Sequence, residues 1–568
     1  MTLKSSNKEI PWWKKTVVYQ IYPRSYMDSN GDGIGDLKGI ISKLDYIKEM
    51  GFETIWFSPF YPSPTFLPYS QHDCGYDIMN YRDVNPEYGT MEDCIRLIDE
   101  IHKRDLKIVM DMVMNHTSVE HPWFKESKSS KDNPKRNWYI WRDGKKPKGK
   151  KPPNNWRAMP MGSAWKYDEQ TEQWYYHQFL PFQPDLNYRN PEVLEEMLNT
   201  VRFWLNNKVD GFRLDIINTI YEDPEFRDAP FKFGIFSEDL DLFFKSAKYY
   251  LNHPDTFAFC KKLRDTIDEF PGKFMVGEVS ASLPTLKKYL MDPDTQQPDR
   301  LNLVFQFQSL GLKLQAGAVK KLLSLYENWF SEPLIPTLVF GNHDQFRRIS
   351  KFGGDLTKAK MNAAIQLTAR GVPFIYYGEE IGIENVNLPH KTAKDSVTHH
   401  LHQWIPYWAM DFVRKFNFTV NRDDCRTPMQ WDASNENAGF SPNGVQTWLP
   451  VHPDYKERNV ASELQDEDSL LWCYRRFLKA RRETPALNSG EFKFKTIKGA
   501  PSSVFSYERI HPSGNVLVVL NLSVNNIKIK FPCEQYSLLV STTTKSNPLD
   551  DSKLKLTPWE AIVLKYSS

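Results

Sequence analysis

Charged side chains stand at the ends of short apolar segments in this chain. Arg213 and Asp215 close the segment 211–215. Because alternate residues of a strand project to one face, we expect these two side chains to point together. An arginine beside a carboxylate keeps it ionised at neutral pH, as a nucleophile requires. Glu278 has apolar neighbours on both sides, which raise the pKa of a carboxyl group and suit proton transfer. A structural ion pair is the alternative interpretation of the first two residues.

Further polar residues follow other apolar segments, and together they suit chemistry on a sugar. They are Asp111, Asn115, His116, His343 and Asp344. If the segments are parallel strands of one barrel, their carboxyl ends meet at a single site. One carboxylate can then attack the anomeric carbon while a second donates and later accepts a proton. The remaining groups grip the sugar and stabilise its developing positive charge. The sequence therefore predicts glycosyl transfer.

Strand-like segments alternate with helical patterns along most of the chain, which predicts an α/β fold, a (β/α)8 TIM barrel. A doubly wound open sheet is less favoured because no glycine-rich phosphate turn follows the first strand. We expect the barrel to comprise residues 1–114 and 186–489. Its eight candidate strands are 17–22, 54–58, 107–113, 211–215, 274–279, 303–307, 337–341 and 373–377.

Two regions depart from this alternation. Residues 115–185 are polar, rich in Lys, Pro and Trp, and too long for an ordinary connection. We expect them to form a small inserted lid domain after the third strand. From residue 490 onward, strand-like segments follow one another without helices. This pattern predicts a C-terminal antiparallel β-sandwich domain, 490–568.

The composition argues against several classes of function. The 568 residues carry a formal net charge of +2, which does not indicate a nucleic-acid partner. The six cysteines are scattered without a C-x-x-C pair, which argues against a zinc site or a disulfide framework and fits a reducing compartment. Residues 1–15 lack the apolar core of a signal peptide, and no apolar run is long enough to span a bilayer. We therefore expect a soluble cytoplasmic protein without a membrane partner.

Four segments resemble, in their order, the signature regions of glycoside hydrolase family 13, the α-amylase family. They are Asp111-Met-Val-Met-Asn115-His116, Gly211-Phe-Arg213-Leu-Asp215, Gly277-Glu278 and Asn342-His343-Asp344. The resemblance extends over nearly the whole chain. It implies a retaining α-glycosidase with Asp215 as the nucleophile, Glu278 as the acid/base and Asp344 as the stabiliser of the transition state.

Other segments resemble the oligo-1,6-glucosidase and α-glucosidase group of that family. Asp73-Cys-Gly-Tyr76-Asp77 is similar to a motif whose first acid holds the non-reducing glucose and whose tyrosine stacks on it. In Arg426-Thr-Pro-Met-Gln-Trp431, the arginine should reach the glucose, with Arg422 less favoured. An acid, a histidine and an arginine at one end of the site imply a pocket, hence exo-action on short oligosaccharides. The substrate-binding residues implied by the resemblance are Asp73, Tyr76, His116, Arg213, His343 and Arg426.

The residue after the nucleophile bears on the linkage that is cleaved. Members of the group that prefer α-1,4 links carry threonine there, whereas those that favour α-1,6 links carry valine. Ile216 therefore favours isomaltose and isomaltooligosaccharides as substrates. It also argues mildly against sucrose isomerases.

Several alternatives within and beyond this enzyme class stay open. They are a sucrose isomerase or hydrolase, a trehalose-6-phosphate hydrolase and a transglycosylating α-glucosidase. The inactive heavy subunits of amino-acid transporters also resemble the family, but they carry a membrane helix and have lost carboxylates that this chain retains. For the assembly, we expect a monomer or a weak homo-oligomer.

An oxygen donor stands at every second position of the segment 28–36, which predicts a tight loop around a hard cation. The donors are Asp28, Asn30, Asp32, the carbonyl of Ile34 and Asp36. Gly39 occupies the twelfth position, where an EF-hand requires glutamate, so this loop is not an EF-hand. It resembles the calcium loop of the oligo-1,6-glucosidase group, which implies a structural Ca²⁺. A polar turn without metal is the alternative.

Overall fold

The computed structural model describes residues 10–145, 149–230 and 247–566. Among them, eight parallel strands form one sheet in which each strand lies beside the next along the chain and the eighth pairs with the first. Between the sixth and seventh strands, hydrogen bonds to side chains replace the backbone ladder. Thr337 Oγ1 donates to the carbonyl oxygen of Val304 at 3.1 Å, and the backbone amide of Gln306 donates to Thr337 Oγ1 at 3.0 Å. The predicted barrel is confirmed. Its strands are Val18–Ile21, Thr54–Phe57, Lys107–Met112, Gly211–Leu214, Phe274–Gly277, Leu303–Val304, Thr337–Val339 and Val372–Tyr376.

Helices pack around the outside of the barrel and supply its connections. Several begin at a side-chain cap; Thr90, for example, forms a reciprocal capping box with Asp93. The described α-helices are Trp12–Lys15, Leu37–Ser42, Leu44–Met50, Met91–Lys103, Pro122–Ser129, Pro191–Asn206, Pro254–Asp268, Leu283–Leu290, Ala316–Trp329, Leu356–Thr368, Ser396–His402, Tyr407–Arg414, Val460–Leu464, Leu470–Glu483 and Pro485–Ser489.

The barrel interior is a packed apolar core and not a channel. Trp56, Phe305 and Phe374 meet inside it, with the two phenylalanine rings edge to face at 4.9 Å. Val109 lies in the same cluster, and Asp111 follows it two positions later on the same face of the third strand. The polar site therefore begins directly above the last apolar layer, at the carboxyl ends of the strands.

A small sheet with its own helix lies between the third and fourth barrel strands, within the predicted insertion. Its strands are antiparallel. An isolated bridge from His116 to Asp185 joins the two ends of the insertion, and a second bridge joins Tyr139 to Leu186. The lysine-rich segment 145–151 lies here, although residues 146–148 are outside the described part. The strands are Trp141–Arg142, Trp165–Asp168 and Gln173–Tyr176.

The C-terminal region is an antiparallel β structure of a five-stranded and a three-stranded sheet with a shared apolar core, as predicted. It is fixed to the barrel by buried polar contacts: the Arg509 guanidinium donates to Thr368 O at 2.8 Å, and Tyr507 Oη lies 2.5 Å from Thr368 Oγ1. Its strands are Glu491–Phe494, Val504–Ile510, Asn515–Asn521, Ile527–Lys530, Ser537–Ser541, Leu549–Asp550, Lys553–Leu556 and Ala561–Tyr566.

Candidate active site

Arg213 is the centre of a buried cluster of carboxylates. Its side chain is 1% exposed and lies above the Trp56 ring, with 5.3 Å from guanidinium carbon to ring centroid. One terminal nitrogen donates to Asp111 at 2.8 Å and to Asp215 at 2.5 Å, and the other donates to Glu278. The predicted convergence of Arg213 with Asp215 is therefore observed, and one arginine binds acids from the third, fourth and fifth strands.

The pKa values of the two central acids differ from those of exposed carboxyl groups. Burial raises the pKa of Asp215 to about 7, and the charge of Asp111 adds to this rise while Arg213 opposes it. Burial likewise raises the pKa of Glu278 to about 8, with Arg213 again opposing and Asp215 adding. The expectation for Glu278 agrees with the structure. For Asp215 it does not: Arg213 is shared among three acids, so it only partly offsets the cost of burying the charge.

Asp344 lies in a different electrostatic environment. Arg426 donates to its Oδ1 at 2.8 Å, Arg422 lies 3.4 Å from the same oxygen, and His343 Nε2 lies 3.2 Å from Oδ2. Burial favours the neutral acid, but these neighbours outweigh it and hold the pKa of Asp344 well below its ordinary value. Asp344 is therefore an anion at neutral pH, suited to face a developing positive charge.

One end of the site is closed by an ion pair. Arg422 donates to Asp73 Oδ1 at 2.6 Å, and Ser396 Oγ donates to the same oxygen at 3.0 Å. The sequence interpretation ranked Arg426 ahead of Arg422 as the arginine that reaches the glucose. The structure places both beside Asp344, but of the two it is Arg422 that also bonds to Asp73.

Asp395 holds this arginine in place, and the sequence interpretation did not identify it. Its Oδ1 accepts from Arg422 Nε at 2.9 Å and from a terminal nitrogen at 2.6 Å, while its Oδ2 accepts the backbone amide of Arg422 at 2.8 Å. Its side chain is fully buried. Asp395 also caps the helix Ser396–His402, whose first residue contacts Asp73. An acid in a polar stretch gives no periodic signal, so only the contacts reveal this function.

Two predicted substrate-binding rings, those of Tyr76 and His343, contact each other through their polar edges. Tyr76 and His343 are parallel, with centroids 5.5 Å apart, and Tyr76 Oη lies 2.6 Å from His343 Nε2. Gln20 Nε2 lies 2.7 Å from His343 Nδ1, and its amide donates there. His116 Nε2 lies 3.0 Å from the carbonyl oxygen of Tyr76. Burial lowers the pKa of His343 to about 3 and that of His116 to about 4, so both rings are neutral.

The backbone turns sharply immediately after Asp215. Ile216 has a φ of 36°, in the left-handed region that a β-branched residue rarely occupies. The turn lets the amide of Ile217 donate to the carbonyl oxygen of Glu278 at 3.1 Å, so the backbones beside the two central acids are bonded. Such strain is maintained only where surrounding contacts enforce it.

The segment 28–36 folds into a succession of tight turns. Asp28 Oδ1 accepts the amides of Asn30 and Gly31 at 3.1 and 2.7 Å, and Asn30 Oδ1 accepts the amide of Asp32 at 3.0 Å. Asp36 instead caps the helix Leu37–Ser42. Across the described residues, no three His, Cys, Asp or Glu side chains are grouped closely enough to hold a metal ion.

The chain matches models of known protein families over most of its length. The α-amylase catalytic-domain model matches residues 20–490, and the model of the C-terminal domain of the α-amylase SusG matches residues 504–563. No described helix is long and apolar enough to cross a bilayer.

Individual relatives and solved structures are similar along the whole chain. The oligo-1,6-glucosidase of Parageobacillus thermoglucosidasius is 38% identical over 98% of this chain and 99% of its own length. The glucan 1,6-alpha-glucosidase of Streptococcus pneumoniae is 35% identical over 98% of this chain and 99% of its own length. Among solved structures, the trehalulose synthase MutB of Pseudomonas mesoacidophila is 33% identical, with a TM-score of 0.86 over 99% of this chain and all of that one.

These matches agree with the geometry of the site and confirm the predicted family and group. Carboxylates from successive barrel strands converge on one buried arginine, and the barrel carries the insertion and C-terminal sheets expected of the family. The chain belongs to the α-amylase family of glycoside hydrolases, within its oligo-1,6-glucosidase and α-glucosidase group.

Proposed function

We propose that this protein is an exo-acting retaining α-glucosidase that releases glucose from the non-reducing end of short α-glucosides, with a preference for α-1,6 links. The observation that carries this proposal is the ion pair of Arg422 with Asp73, held by Asp395, which blocks one end of the site. A closed end admits a terminal glucose but no continuing chain, so the site is a pocket. Polar groups already aligned there suit the hydroxyl groups of that glucose.

In the first step, Asp215 attacks the anomeric carbon, and the bond from that carbon to the glycosidic oxygen breaks as Glu278 gives its proton to this oxygen. In the second, a water gives its proton to Glu278 and its oxygen to the anomeric carbon, which frees glucose and the carboxylate of Asp215. Asp344 remains charged throughout and stabilises the positive charge that develops on the sugar. Two inversions at the anomeric carbon retain its α configuration.

The pKa values cited above predict a narrow pH optimum. Asp215 must be ionised to attack, so kcat/KM should fall as the pH drops below about 7. Glu278 must be protonated to donate, so kcat/KM should fall as the pH rises above about 8. Asp111→Asn removes a negative charge beside Asp215 and should move the acid limb to lower pH. Rates measured across pH 5–10 test this, and an acid limb that stays in place in the variant contradicts it.

The substrate preference is tested by a product-resolved assay on maltose, isomaltose, sucrose, trehalose and trehalose-6-phosphate. We expect the highest kcat/KM for isomaltose, with glucose as the product. Ile216→Thr should lower the ratio of isomaltose to maltose cleavage by about tenfold, the scale of one altered contact in a pocket. An unchanged ratio would contradict the assignment of linkage preference to Ile216.

Glucosyl transfer to another sugar is the second candidate, because the solved structures with this fold include a trehalulose synthase and an α-glucosyl transfer enzyme. The same assay separates the candidates. Rearranged sucrose or new oligosaccharides in place of free glucose would favour transfer over hydrolysis.

A structural Ca²⁺ in the loop 28–36 remains part of the proposal. Its support is an oxygen-only donor set at alternate positions and a loop already curled by its own backbone. Asp28, Asn30, Asp32, the Ile34 carbonyl and Asp36 would supply the ligands. The ion would fix this loop, which follows the first strand, and take no part in the reaction.

Chelation is expected to affect stability more than turnover. EDTA should lower the melting temperature by about 2–5 °C, and added Ca²⁺ should restore it, because a ligand of the native state alone shifts unfolding. Asp32→Ala, at an exposed position of the loop, should abolish this response. A metal-loaded sample without any thermal shift on chelation would remove the calcium assignment.

For the location of the protein, a cytoplasmic compartment remains our proposal. Its support is that all six cysteines are free and buried.

A further inference from the structure

A cleft of about 490 Å³ opens where the helix Leu470–Glu483 meets the C-terminal five-stranded sheet. One end of three neighbouring strands forms its other wall, those of Asn515–Asn521, Ser537–Ser541 and Ala561–Tyr566. Ligand pockets in proteins have volumes of about 300–1,000 Å³, so this cleft has room for a small organic ligand. We call it the C-terminal cleft, and the residues that line it include Glu483, Thr484, Asn515, Gln535, Tyr536 and Tyr566.

The C-terminal cleft lies at the opposite end of the barrel from the catalytic cluster. Near the end of the helix that forms its first wall, Arg481 donates to the carbonyl oxygen of Gly371 at 2.6 Å. Gly371 immediately precedes the barrel strand Val372–Tyr376, so this contact marks the amino-terminal ends of the strands. Asp215 follows a strand at its carboxyl end. The cleft, which begins at Glu483, is therefore no extension of the catalytic pocket.

Two tyrosine rings give the cleft a fixed aromatic surface. Tyr536 and Tyr566 are half-buried, with ring centroids 5.2 Å apart. Phe531 packs 4.7 Å from the Tyr536 ring, and Tyr566 Oη donates to Glu508 Oε1 at 2.8 Å. Both rings are thus held in place before a ligand arrives, which lowers the entropic cost of binding. Their exposed parts offer apolar surface to the C–H groups of a sugar, while their hydroxyl ends are polar.

The polar groups around these rings suit an uncharged ligand with many hydroxyl groups. Asn515 Oδ1 accepts a backbone amide of its own hairpin at 3.1 Å, which fixes the side chain with its Nδ2 group as a donor. Gln535 is exposed at the rim and can both donate and accept. The charged residues that line the cleft are two acids and one lysine, Glu483, Glu534 and Lys565. This balance does not favour a phosphate.

Thr484 lines the cleft with a hydroxyl group that lacks a partner. The residue is 7% exposed, and its Oγ1 is buried without a hydrogen bond to any described residue. A threonine that precedes a helix commonly bonds to the first free amides, but the Thr484 side chain forms no such bond to the helix Pro485–Ser489. Buried hydroxyl groups are as a rule bonded to protein, water or ligand. A polar ligand in the cleft would satisfy this one.

We propose that the C-terminal cleft is a second binding site for short oligosaccharides of α-linked glucose. Fixed tyrosine rings recognise the apolar face of a sugar, and the amide and hydroxyl groups beside them recognise its hydroxyl groups. The choice of α-linked glucose rests on the proposed function, because an α-glucosidase meets such oligosaccharides as its substrates. The cleft holds the sugar and takes no part in its cleavage, since it is remote from the catalytic carboxylates.

Saturation-transfer NMR with isomaltotetraose tests the proposal, with the catalytic pocket kept full by a saturating glucose-like iminosugar. The blocked wild type should still bind isomaltotetraose, and inorganic phosphate should not displace it. Tyr536→Ala should raise the dissociation constant at least about tenfold, because it removes an aromatic anchor. Phe494→Ala is the matched control, since this ring is 43% exposed in the same sheet but does not line the cleft, and the variant should bind like the wild type.

Thr484→Val separates binding from folding. Valine keeps the shape of the side chain and removes a hydroxyl group that bonds to no described residue, so the melting temperature should stay the same or rise. The dissociation constant for isomaltotetraose should nevertheless increase about 2- to 10-fold, the scale of one hydrogen bond. Without the iminosugar, kcat/KM on isomaltose should be the same in all these variants and the wild type, so a failure of the proposed function shows as missing cleavage and not as missing binding.

Three results would overturn the second site. They are no binding of isomaltotetraose to the blocked wild type, equal affinity in the wild type and Tyr536→Ala, and an equal loss of affinity in Phe494→Ala. Displacement of the sugar by inorganic phosphate would show an anion site instead and would overturn it as well.

Discussion

Glu278→Gln is expected to lower kcat on isomaltose by about 100- to 10,000-fold, because the glucose leaving group then departs without a proton. The amide keeps the shape of the carboxyl group and still lies beside Arg213, which donates to the acid in the wild type. Binding should therefore persist, and KM for isomaltose should change little. The measurement is steady-state kinetics together with a binding isotherm for isomaltose on the inactive variant.

A substrate that needs no proton separates this role from a structural one. Fluoride leaves α-glucosyl fluoride without assistance, so the first step should remain fast in Glu278→Gln and appear as a burst of fluoride. Hydrolysis of the glucosyl-enzyme, in which Glu278 acts as a base, should then limit the rate. Equal loss on both substrates without a burst would contradict the assignment of Glu278 as acid/base.

Asp215→Ala should remove activity on both substrates, because no group remains to attack the anomeric carbon. Nucleophile and acid act in the same first step, and without the nucleophile this step has no covalent route, so the loss should equal or exceed that of Glu278→Gln. The measurement is fluoride release from α-glucosyl fluoride, with and without azide. Azide can occupy the space left by the carboxylate, displace fluoride and form a carbon–nitrogen bond on the opposite face of the sugar.

The configuration of the azide product decides the mechanism. A retaining enzyme whose nucleophile is removed should yield β-glucosyl azide. Asp344→Ala is the matched control, since it removes a carboxylate of the same site that makes no bond to the sugar. That variant should be slow but should give no β-azide. If azide rescues Asp344→Ala and leaves Asp215→Ala inactive, the two roles are assigned wrongly.

The interaction between the carboxyl groups of Asp215 and Glu278 gives a further test of their assigned roles. Asp215 and Glu278 share Arg213, and the charge of Asp215 raises the pKa of Glu278, so the two groups titrate as a linked pair. Removing Asp215 should therefore lower the pKa of Glu278. In Asp215→Ala, the Glu278 carboxyl group, followed by spectroscopic titration, should lose its proton at lower pH than in the wild type, which a simple loss of folding would not produce.

Much of the fold was predictable from local pattern. Strand-like segments at regular intervals identified all eight barrel strands, because buried parallel strands require short apolar runs that periodicity detects. Closure of the barrel was not predictable in this way. It depends on Gln306 and Thr337, whose side chains replace a backbone ladder between two short strands. No periodicity marks a side chain that bonds to a neighbouring strand.

The sequence by itself determined which residues could do the chemistry, since Asp215, Glu278 and Asp344 stand at strand ends whatever the details of packing. The tertiary structure decided the protonation state of each of these carboxyl groups at neutral pH. The pKa of a carboxyl group follows from its burial and from the charges within a few ångströms. Arg422 and Asp73 are 349 residues apart, and their contact exists only once the barrel has closed. Charge interactions depend on distance in space, which the order of residues along the chain does not contain.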